Sequence, residues 1–176
     1  MAFFKEELTR IKAFVFDIDG VISAATQVLN TEGETMRTSN LKDGFALVYT
    51  VRIGYPVCVI TGGKTVDVIK RCEKIGIKDI YAGSLNKLPG LYDFLKKYNL
   101  KAEEVMYMGD DLPDYPAMKV VGVPVCPKDA ASEIKAISHY ISDKNGGEGC
   151  VRDVLEQVLR AQGKWIDVEK TNWNLF

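Results

Sequence analysis

The sequence feature that most constrains this chain is residues 11–22, IKAFVFDIDGVI, an apolar run that ends in two carboxylates, Asp17 and Asp19. A short run rich in Phe and Val, closed by a turn signal at Gly20, predicts a strand that is buried on both faces of a parallel sheet. Side chains alternate along a strand, so we expect Asp17 and Asp19 to leave its end on one face, about 7 Å apart. Carboxylates beside an apolar strand are unfavourable unless they are exposed, paired or bound to a cation. They therefore form a candidate site.

Length and composition favour one domain that spans residues 1–176. The apolar fraction is 47% and the net charge is −1 at pH 7, which gives no electrostatic reason to expect nucleic acid or a membrane surface as a partner. No apolar run approaches the roughly 18 residues that cross a bilayer, so we expect a cytoplasmic protein. The four cysteines are widely spaced and include no CxxC pair, which predicts small core residues rather than disulfides or a zinc site.

Beyond the first strand, apolar runs of strand length alternate with stretches of helical period. Strands are predicted at residues 55–60, 79–82, 105–108, 123–126 and 140–141, and helices at 41–52, 65–75, 88–98, 117–120, 130–136 and 150–161. This alternation predicts an α/β fold with a doubly wound, mainly parallel sheet and right-handed crossovers.

Two segments depart from this alternation. Residues 23–40 carry QVLN and ETMRTS on either side of Thr31-Glu32-Gly33, which is typical of a β-hairpin that projects as a flap beside the first strand. A disordered loop is the alternative. The C-terminal tail, residues 163–176, has no reliable period, and either a docked or a frayed tail is compatible with it.

Polar residues fall just after four of the predicted strands. In order along the chain they are Asp17 and Asp19, Thr61 and Gly62, Lys87, and the acidic group Asp110, Asp111 and Asp114. The carboxyl ends of parallel strands share one edge of the sheet, where α/β proteins bind ligands. Each cluster alone is weak, because a lysine in a first helical turn or an acidic run after a strand is usually structural. Together they predict one site.

The combination suits phosphate chemistry with a divalent cation. Carboxylates from neighbouring strand ends, with a backbone carbonyl, make an oxygen site of the kind that Mg²⁺ prefers. The cation offsets the repulsion between an anionic nucleophile and an anionic phosphate, while Lys87 and the Thr61 hydroxyl can hold phosphoryl oxygens.

These motifs, DxDGV, ITG, a lysine and GDDxxD, resemble those of the haloacid dehalogenase superfamily of aspartate-nucleophile phosphohydrolases. The resemblance implies an Mg²⁺-dependent phosphatase in which Asp17 is the nucleophile and Asp19 is the general acid and base. It also implies that the metal is held by the Asp17 carboxylate, the Asp19 carbonyl and Asp110. In the same comparison Thr61, Gly62 and Lys87 bind phosphate, and Asp111 and Asp114 are supporting groups.

A narrower resemblance rests on length and on further motifs. The chain has no insertion long enough for a cap domain, and it carries LKDGF, GDDxxDxP, a Gly-Gly-x-Gly sequence followed by VR, and AQGKW. In these it is similar to the capless phosphatases of 3-deoxy-D-manno-octulosonate 8-phosphate, which serve lipopolysaccharide synthesis. That resemblance implies a cytoplasmic homotetramer with active sites at subunit interfaces. Gly63 and Pro113 depart from the residues that this group usually has, Arg and Asn.

Substrate recognition is expected outside the phosphate site. The stretch Asn40-Leu41-Lys42-Asp43-Gly44 matches the substrate loop of these phosphatases. Arg71 and Lys74 are three residues apart and so share one helix face, from which they could reach the carboxylate of a sugar acid.

Three alternatives remain at this point. The substrate could be 2-keto-3-deoxynononate 9-phosphate or another acyl-sugar phosphate, although the nononate enzymes tend to have an acidic residue where this chain has Gly63. A phosphorylatable receiver module uses similar residues, but it takes phosphate on an Asp after the third strand, where this chain has Ala82 and Gly83. A catalytically idle oligomerisation domain would have no need of Asp17, Asp19, Thr61, Lys87 and Asp110 together.

Overall fold

The computed structural model describes residues 6–64 and 66–171, and within them the chain forms eight strands. They are β1 (Ala13–Phe16), β2 (Val28–Leu29), β3 (Thr35–Met36), β4 (Val57–Thr61), β5 (Asp79–Ala82), β6 (Val105–Met108), β7 (Val123–Cys126) and β8 (Tyr140–Ile141). Six of them form one sheet in the order β5-β4-β1-β6-β7-β8, and every neighbouring pair is parallel. The predicted doubly wound α/β architecture is confirmed.

Helices cover both faces of this sheet. They are α1 (Leu41–Arg52), α2 (Val66–Ile75), α3 (Leu88–Lys97), α4 (Tyr115–Met118), α5 (Ser132–Ile137) and α6 (Cys150–Ala161). The first core cluster packs α1, α2 and α6 against one face, and the second packs α3, α4 and α5 against the other. Strands covered on both sides are apolar at nearly every position, and β1, β4, β6 and β7 are buried throughout.

The central strand shows how the alternation of side chains divides the core. Phe14 and Phe16 belong to the cluster under α1 and α6, and their rings stack with centroids 6.4 Å apart. Ala13 and Val15 belong to the opposite cluster. All four are completely buried, so β1 is fixed from both sides and the residues that follow it start from a rigid position.

The order of the strands reverses beside β1. From β1 the chain adds β4 and then β5 on one side, after which it crosses to β6 and continues outward to β7 and β8. The carboxyl ends of β1 and β6 therefore border the crevice that such a reversal opens, which is the usual ligand site of open α/β sheets.

The predicted flap is a hairpin of β2 and β3. Val28 pairs with Met36 in antiparallel register, and the turn contains Gly33 with a left-handed φ of +79°. The Asn30 side chain closes the turn, because its Oδ1 accepts the backbone N–H groups of Glu32 and Glu34. The apolar side chains of Val28 and Met36 are mostly exposed.

Other features agree with the sequence, with small shifts of boundary. The helix predicted at 117–120 lies earlier, at Tyr115–Met118, because a 3₁₀ turn at Leu112–Asp114 leads directly into it. All four cysteines are buried and free. Within residues 6–64 and 66–171 no helix has the length and apolar character needed to cross a membrane.

The described part of the tail packs against the body of the protein. The Trp165 ring meets the Tyr49 ring edge-on at 5.6 Å and lies 5.3 Å from the Arg152 guanidinium carbon. A docked start of the tail is therefore observed, while the residues beyond 171 lie outside the described part of the chain.

Candidate active site

The predicted phosphate-binding and catalytic residues meet in one cavity at the carboxyl edge of the sheet. The cavity has a volume of about 380 Å³. Its lining comprises Asp17, Asp19, Gly20, Ala25, Thr61, Gly62, Gly63, Leu85, Lys87, Asp110, Asp111 and Pro113. Four segments separated along the chain are thus brought together by the strand order.

Lys87 is the central cation of this cavity. It precedes α3, is only 2% exposed, and places Nζ 2.7 Å from Asp17 Oδ2 and 2.6 Å from Asp114 Oδ1. Burial alone would lower the pKa of Lys87, but the two carboxylates outweigh that effect and raise it. The ammonium group is therefore held in its charged form at the bottom of the cavity.

Asp114 already has hydrogen-bond partners on both of its carboxylate oxygens. Its Oδ1 accepts hydrogen bonds from Lys87 Nζ and from the Tyr107 hydroxyl at 2.8 Å, and its Oδ2 accepts the Asp110 backbone N–H at 3.2 Å. A side chain at Gly109 would place its Cβ 2.4 Å from Asp114 Cγ. Glycine at 109 thus lets Asp114 reach under the strand end, where it orients Lys87.

Asp17 and Asp110 form the acidic face of the cavity. Burial, followed by repulsion from Asp114, raises the pKa of Asp17 to about 7 even though Lys87 opposes the shift. Burial, followed by repulsion from Asp17 and Asp114, raises the pKa of Asp110 to about 8. One oxygen each of Asp17, Asp110 and Asp114 lies within 4.8 Å of the others.

The donor set fits a divalent cation. Asp110 Oδ1 is buried and accepts no hydrogen bond within the described part of the chain, and an orphaned buried carboxylate oxygen is unfavourable without a cationic partner. Asp17 directs Oδ1 to the Ile18 backbone N–H at 2.6 Å. Gly20, with a φ of +84°, passes so close to Asp110 that a Cβ there would lie 1.9 Å from its Oδ2. Two carboxylates at raised pKa, crowded by backbone, are suited to Mg²⁺ with its few protein ligands.

Asp19 lines the same cavity, but its carboxylate has different partners. It faces the root of the flap, where Arg37 Nε donates to Oδ1 at 2.6 Å and Arg37 Nη2 donates to Oδ2 at 2.7 Å. Gln27 Nε2 also donates to Oδ1, at 2.5 Å. Asp17 and Asp19 line one cavity, as expected, but strand alternation is not the reason, because β1 ends at Phe16 and the chain turns through residues 18–20.

The end of β4 supplies the remaining wall. The Thr61 hydroxyl is buried and accepts the Gly63 backbone N–H at 3.2 Å. Gly62 and Gly63 follow it along the cavity lining, and their backbone can approach a bound anion without a side chain in between.

The predicted substrate loop, residues 40–44, forms the N-terminal end of α1. Asn40 caps α1, with its Oδ1 accepting the N–H groups of Lys42 and Asp43. Asp43 is 1% exposed, and its two oxygens accept the N–H groups of Gly149 and Arg152 at the start of α6. Both oxygens of Asp43 thus cap a distant helix, and burial raises its pKa. That Asp43 contacts substrate stays a prediction, and these contacts favour a structural role instead.

Of the other predicted recognition residues, only Arg71 lines a described cavity near the flap. Leu41, Lys42 and Lys74 are exposed. These three residues and Gly44 are absent from the described lining of the active-site cavity and of a second cavity beside the flap. Arg71 does line this second cavity, which has a volume of about 430 Å³ and lies between α2 and the flap. Its Nη2 lies 2.9 Å from the position that a Cβ at Gly44 would take, so Arg71 extends towards the start of α1.

The sequence analysis missed Arg37, Gln27 and Tyr107. Tyr107 lies inside an apolar strand, and only its hydroxyl marks it as a polar partner for a buried group. Gln27 lies just before β2 and Arg37 just after β3, at the two open ends of the hairpin. Their alternation with Val28 and Met36 could have indicated an inward-facing polar pair, since alternate residues of a strand share a face.

Comparisons with known proteins agree with this geometry. Residues 54–155 match the family model of haloacid dehalogenase-like hydrolases. The chain is 36% identical to a 3-deoxy-D-manno-octulosonate 8-phosphate phosphatase of Salmonella typhi over 154 residues, covering 88% of this chain and 82% of the relative. The enzyme of the same name from Yersinia pestis is 31% identical over 159 residues, covering 90% and 85%. The crystal structure of such a phosphatase from Moraxella catarrhalis, in complex with magnesium ion, phosphate ion and KDO, aligns with a TM-score of 0.88 and 32% identity, covering 93% of this chain and 94% of that one.

Proposed function

This chain belongs to the haloacid dehalogenase-like hydrolases, and on that premise we propose that it hydrolyses 3-deoxy-D-manno-octulosonate 8-phosphate with Mg²⁺. One observation carries the proposal. Lys87 joins Asp17 and Asp114 at the sheet edge while the neighbouring Asp110 keeps a buried oxygen without a hydrogen bond. This arrangement offers a nucleophile, a fixed cation for phosphoryl oxygens and a place for a divalent metal. The substrate and the metal are those in the names of the relatives.

In the first half-reaction Asp17 attacks phosphorus through a carboxylate oxygen, and the bond between phosphorus and the sugar oxygen breaks. Asp19 gives its proton to the departing oxygen, so the sugar acid leaves as an alcohol. In the second half-reaction a water molecule attacks the phosphorus of the aspartyl-phosphate and Asp19 takes the proton of the water. The bond to Asp17 breaks, and inorganic phosphate is released.

Asp17, Asp110 and the Asp19 backbone carbonyl would hold Mg²⁺. When bound, the ion supplies positive charge that offsets the repulsion between the Asp17 carboxylate and the phosphate. Lys87 and the Thr61 hydroxyl bind the phosphoryl oxygens. Asp114 and Tyr107 keep Lys87 in place, and Asp111 lies at the rim of the cavity.

We assign recognition of the sugar acid to the second cavity, between α2 and the flap, because Arg71 lines it. Arg37 lines it too, and its Nη2 lies 3.1 Å from the Cβ position of Gly63, which belongs to the active-site cavity. Arginine binds carboxylates through its planar fork of donors. Replacing Arg71 by Ala should raise KM for a carboxylated substrate at least several-fold and leave a neutral sugar phosphate unchanged. An equal change for both substrates would contradict this role.

The proposed assembly is a homotetramer in which neighbouring subunits cover the open active sites. Val28, Leu29 and Met36 of the flap are 58–67% exposed, and a two-stranded hairpin with an apolar surface is poorly stabilised alone. The four buried free thiols favour a reducing compartment, so we place the enzyme in the cytoplasm. Light scattering at the dilution of the activity assay tests the assembly, and a fully active monomer would contradict it.

The substrate is tested by phosphate release across a matched panel with Mg²⁺. The panel contains the octulosonate 8-phosphate, the nononate 9-phosphate, and neutral hexose phosphates. We expect the highest kcat/KM for the octulosonate ester. A higher value for the nononate ester would favour the alternative sugar acid, and a higher value for neutral sugars would contradict an acid substrate.

A further inference from the structure

The carboxylate of Asp19, the proposed acid–base residue, accepts three hydrogen bonds from residues of the flap. Arg37 follows β3 and binds both oxygens of Asp19 in a bidentate ion pair, with distances of 2.6 and 2.7 Å. Gln27 precedes β2 and donates to Oδ1. The Arg37 side chain is 10% exposed and the Asp19 side chain 35% exposed, so the guanidinium end of the pair is sheltered while the carboxylate stays accessible. Charge-assisted bidentate pairs are among the most directional contacts in proteins. The two roots of the hairpin thus fix the plane of the Asp19 carboxylate.

The donors are distributed unevenly over the two oxygens. An ionised carboxylate has about four lone-pair sites, two on each oxygen. Oδ1 accepts from Arg37 Nε and from Gln27 Nε2, which uses both of its sites, whereas Oδ2 accepts only from Arg37 Nη2 among the described residues. One site on Oδ2 therefore stays available for a proton.

That oxygen also faces the phosphate site. The Cβ position of Gly63, which lines the active-site cavity, lies 3.5 Å from Asp19 Oδ2, 3.6 Å from Thr61 Oγ1 and 3.1 Å from Arg37 Nη2. The absence of a side chain at 63 leaves room for the guanidinium, and Oδ2 and the Thr61 hydroxyl both border the space that a side chain there would occupy. A carboxylate rotated about its last torsion would present the occupied Oδ1 instead.

We propose that Arg37 is a positioning residue that, together with Gln27, fixes Asp19 so that Oδ2 carries the proton transferred in both half-reactions. The inference rests on the proposed acid–base role of Asp19. When the bond between phosphorus and the ester oxygen breaks, the electron pair goes to that oxygen, which takes the proton from Oδ2. When water attacks the aspartyl-phosphate, its proton returns to Oδ2. Loss of the fixed orientation lowers the fraction of productive geometries.

The test compares leaving groups, because only a poor leaving group needs the proton. The ratio kcat/KM reports the steps up to the first irreversible one, which includes the departure of the leaving group. Wild type, Arg37→Ala, Arg37→Lys and Gln27→Leu are assayed with the sugar-acid phosphate, a neutral alkyl phosphate and 4-nitrophenyl phosphate. Arg160→Ala is the control, since it removes an arginine–carboxylate pair with Glu156 on the surface of α6.

We expect Arg37→Ala to lower kcat/KM at least about tenfold for both alkyl esters, a modest part of the 10²–10⁴-fold that general acid catalysis contributes. The aryl ester should change less than about threefold. Arg37→Lys should recover only part of the loss, because a lysine cannot reproduce the bidentate contact. Gln27→Leu should show the same pattern more weakly, and Arg160→Ala should match wild type on all three esters.

Several outcomes would overturn the inference. Equal losses on alkyl and aryl esters would indicate a phosphate contact or a folding defect, and a loss confined to the carboxylated ester would make Arg37 a substrate-binding residue. Wild-type rates in Arg37→Ala would remove any role. If the enzyme cleaves the neutral alkyl ester but not the sugar-acid phosphate, only the proposed substrate is contradicted. The role of Arg37 is then still tested by comparing the neutral alkyl ester with 4-nitrophenyl phosphate.

Discussion

Lys87 Nζ lies 2.7 Å from Asp17 Oδ2, in a position where the lysine side chain is 2% exposed and the aspartate side chain 10% exposed. This pair places a fixed positive charge beside the proposed nucleophile before any substrate binds. The same ammonium group also binds Asp114, so one cation holds the ends of β1 and β6 together. We therefore expect both stability and activity to depend on this residue.

Replacing Lys87 by Met should abolish activity and destabilise the protein. Removing one partner of a buried ion pair costs about 3–5 kcal/mol, because the other charges stay buried without compensation. The folded variant would relieve part of this by keeping a proton on Asp17, whose pKa is raised by burial and by Asp114, while the unfolded chain has already released it. Stability then falls as pH rises, so the loss should be larger at pH 8 than at pH 6.

Urea unfolding at the two pH values measures this effect. Lys96→Met is the matched control, since Lys96 lies exposed on α3, the helix that Lys87 precedes, and it should stay close to wild type. Equal stability of Lys87→Met and wild type at pH 8 would show that the buried pair contributes nothing.

Mg²⁺ should raise the melting temperature, and EDTA should reverse the rise. A ligand that binds only the folded state stabilises it by about 2.7 kcal/mol at a concentration of 100 Kd. Metal ligands must be deprotonated, and the pKa values of Asp17 and Asp110 are raised to about 7 and about 8. Protons therefore compete with the metal below these values, and the rise should be larger at pH 8.5 than at pH 6.5.

The variant Asp110→Asn should lose most of this stabilisation, because an amide removes the charge that attracts the cation. Asp143→Asn, which changes an exposed carboxylate, should keep the full shift. Differential scanning calorimetry measures the rise in melting temperature that Mg²⁺ causes. An undiminished rise in Asp110→Asn would contradict the proposed metal site.

Asp43 should matter for stability rather than for substrate affinity. Its oxygens cap the start of α6 from the first turn of α1, and losing a helix cap costs about 0.5–2 kcal/mol. Asp43→Ala should therefore lower the free energy of unfolding by about that amount while KM stays within twofold of wild type. Asp143→Ala is the surface control. A large increase in KM without loss of stability would restore the substrate-binding prediction.

The sequence predicted the architecture well because local pattern and long-range packing agree in this fold. Four strands are buried on both faces, so nearly every residue in them is apolar and their bounds are visible; β6 and β7 have the predicted limits. The carboxyl ends of parallel strands meet at one edge of the sheet. From this rule alone the sequence predicted that Asp17, Lys87 and Asp110 lie in one site.

The contacts that sequence could not predict join polar residues far apart in the chain. Asp43 and Gly149 are 106 positions apart, and neither apolar period nor spacing records which helix start a buried carboxylate will cap. The Arg37–Asp19 pair depends on how the hairpin folds back over a turn, which a short strand pattern does not determine. Such pairs are set by tertiary packing, and they determine the hydrogen-bond partners of Asp19 and Asp43.

The proposed reaction depends most on a phosphoryl group carried by Asp17. An Asp19→Asn variant cannot activate water, but an aryl phosphate can still leave without a proton, so the aspartyl-phosphate should accumulate. After mixing with Mg²⁺ and 4-nitrophenyl phosphate and quenching in acid, intact-protein mass spectrometry should show the added mass of one phosphoryl group. Peptide mapping should place that group on Asp17, and the variant that also carries Asp17→Asn should show none. Release of 4-nitrophenol with no covalent phosphate, or phosphate on another residue, would contradict the proposed mechanism.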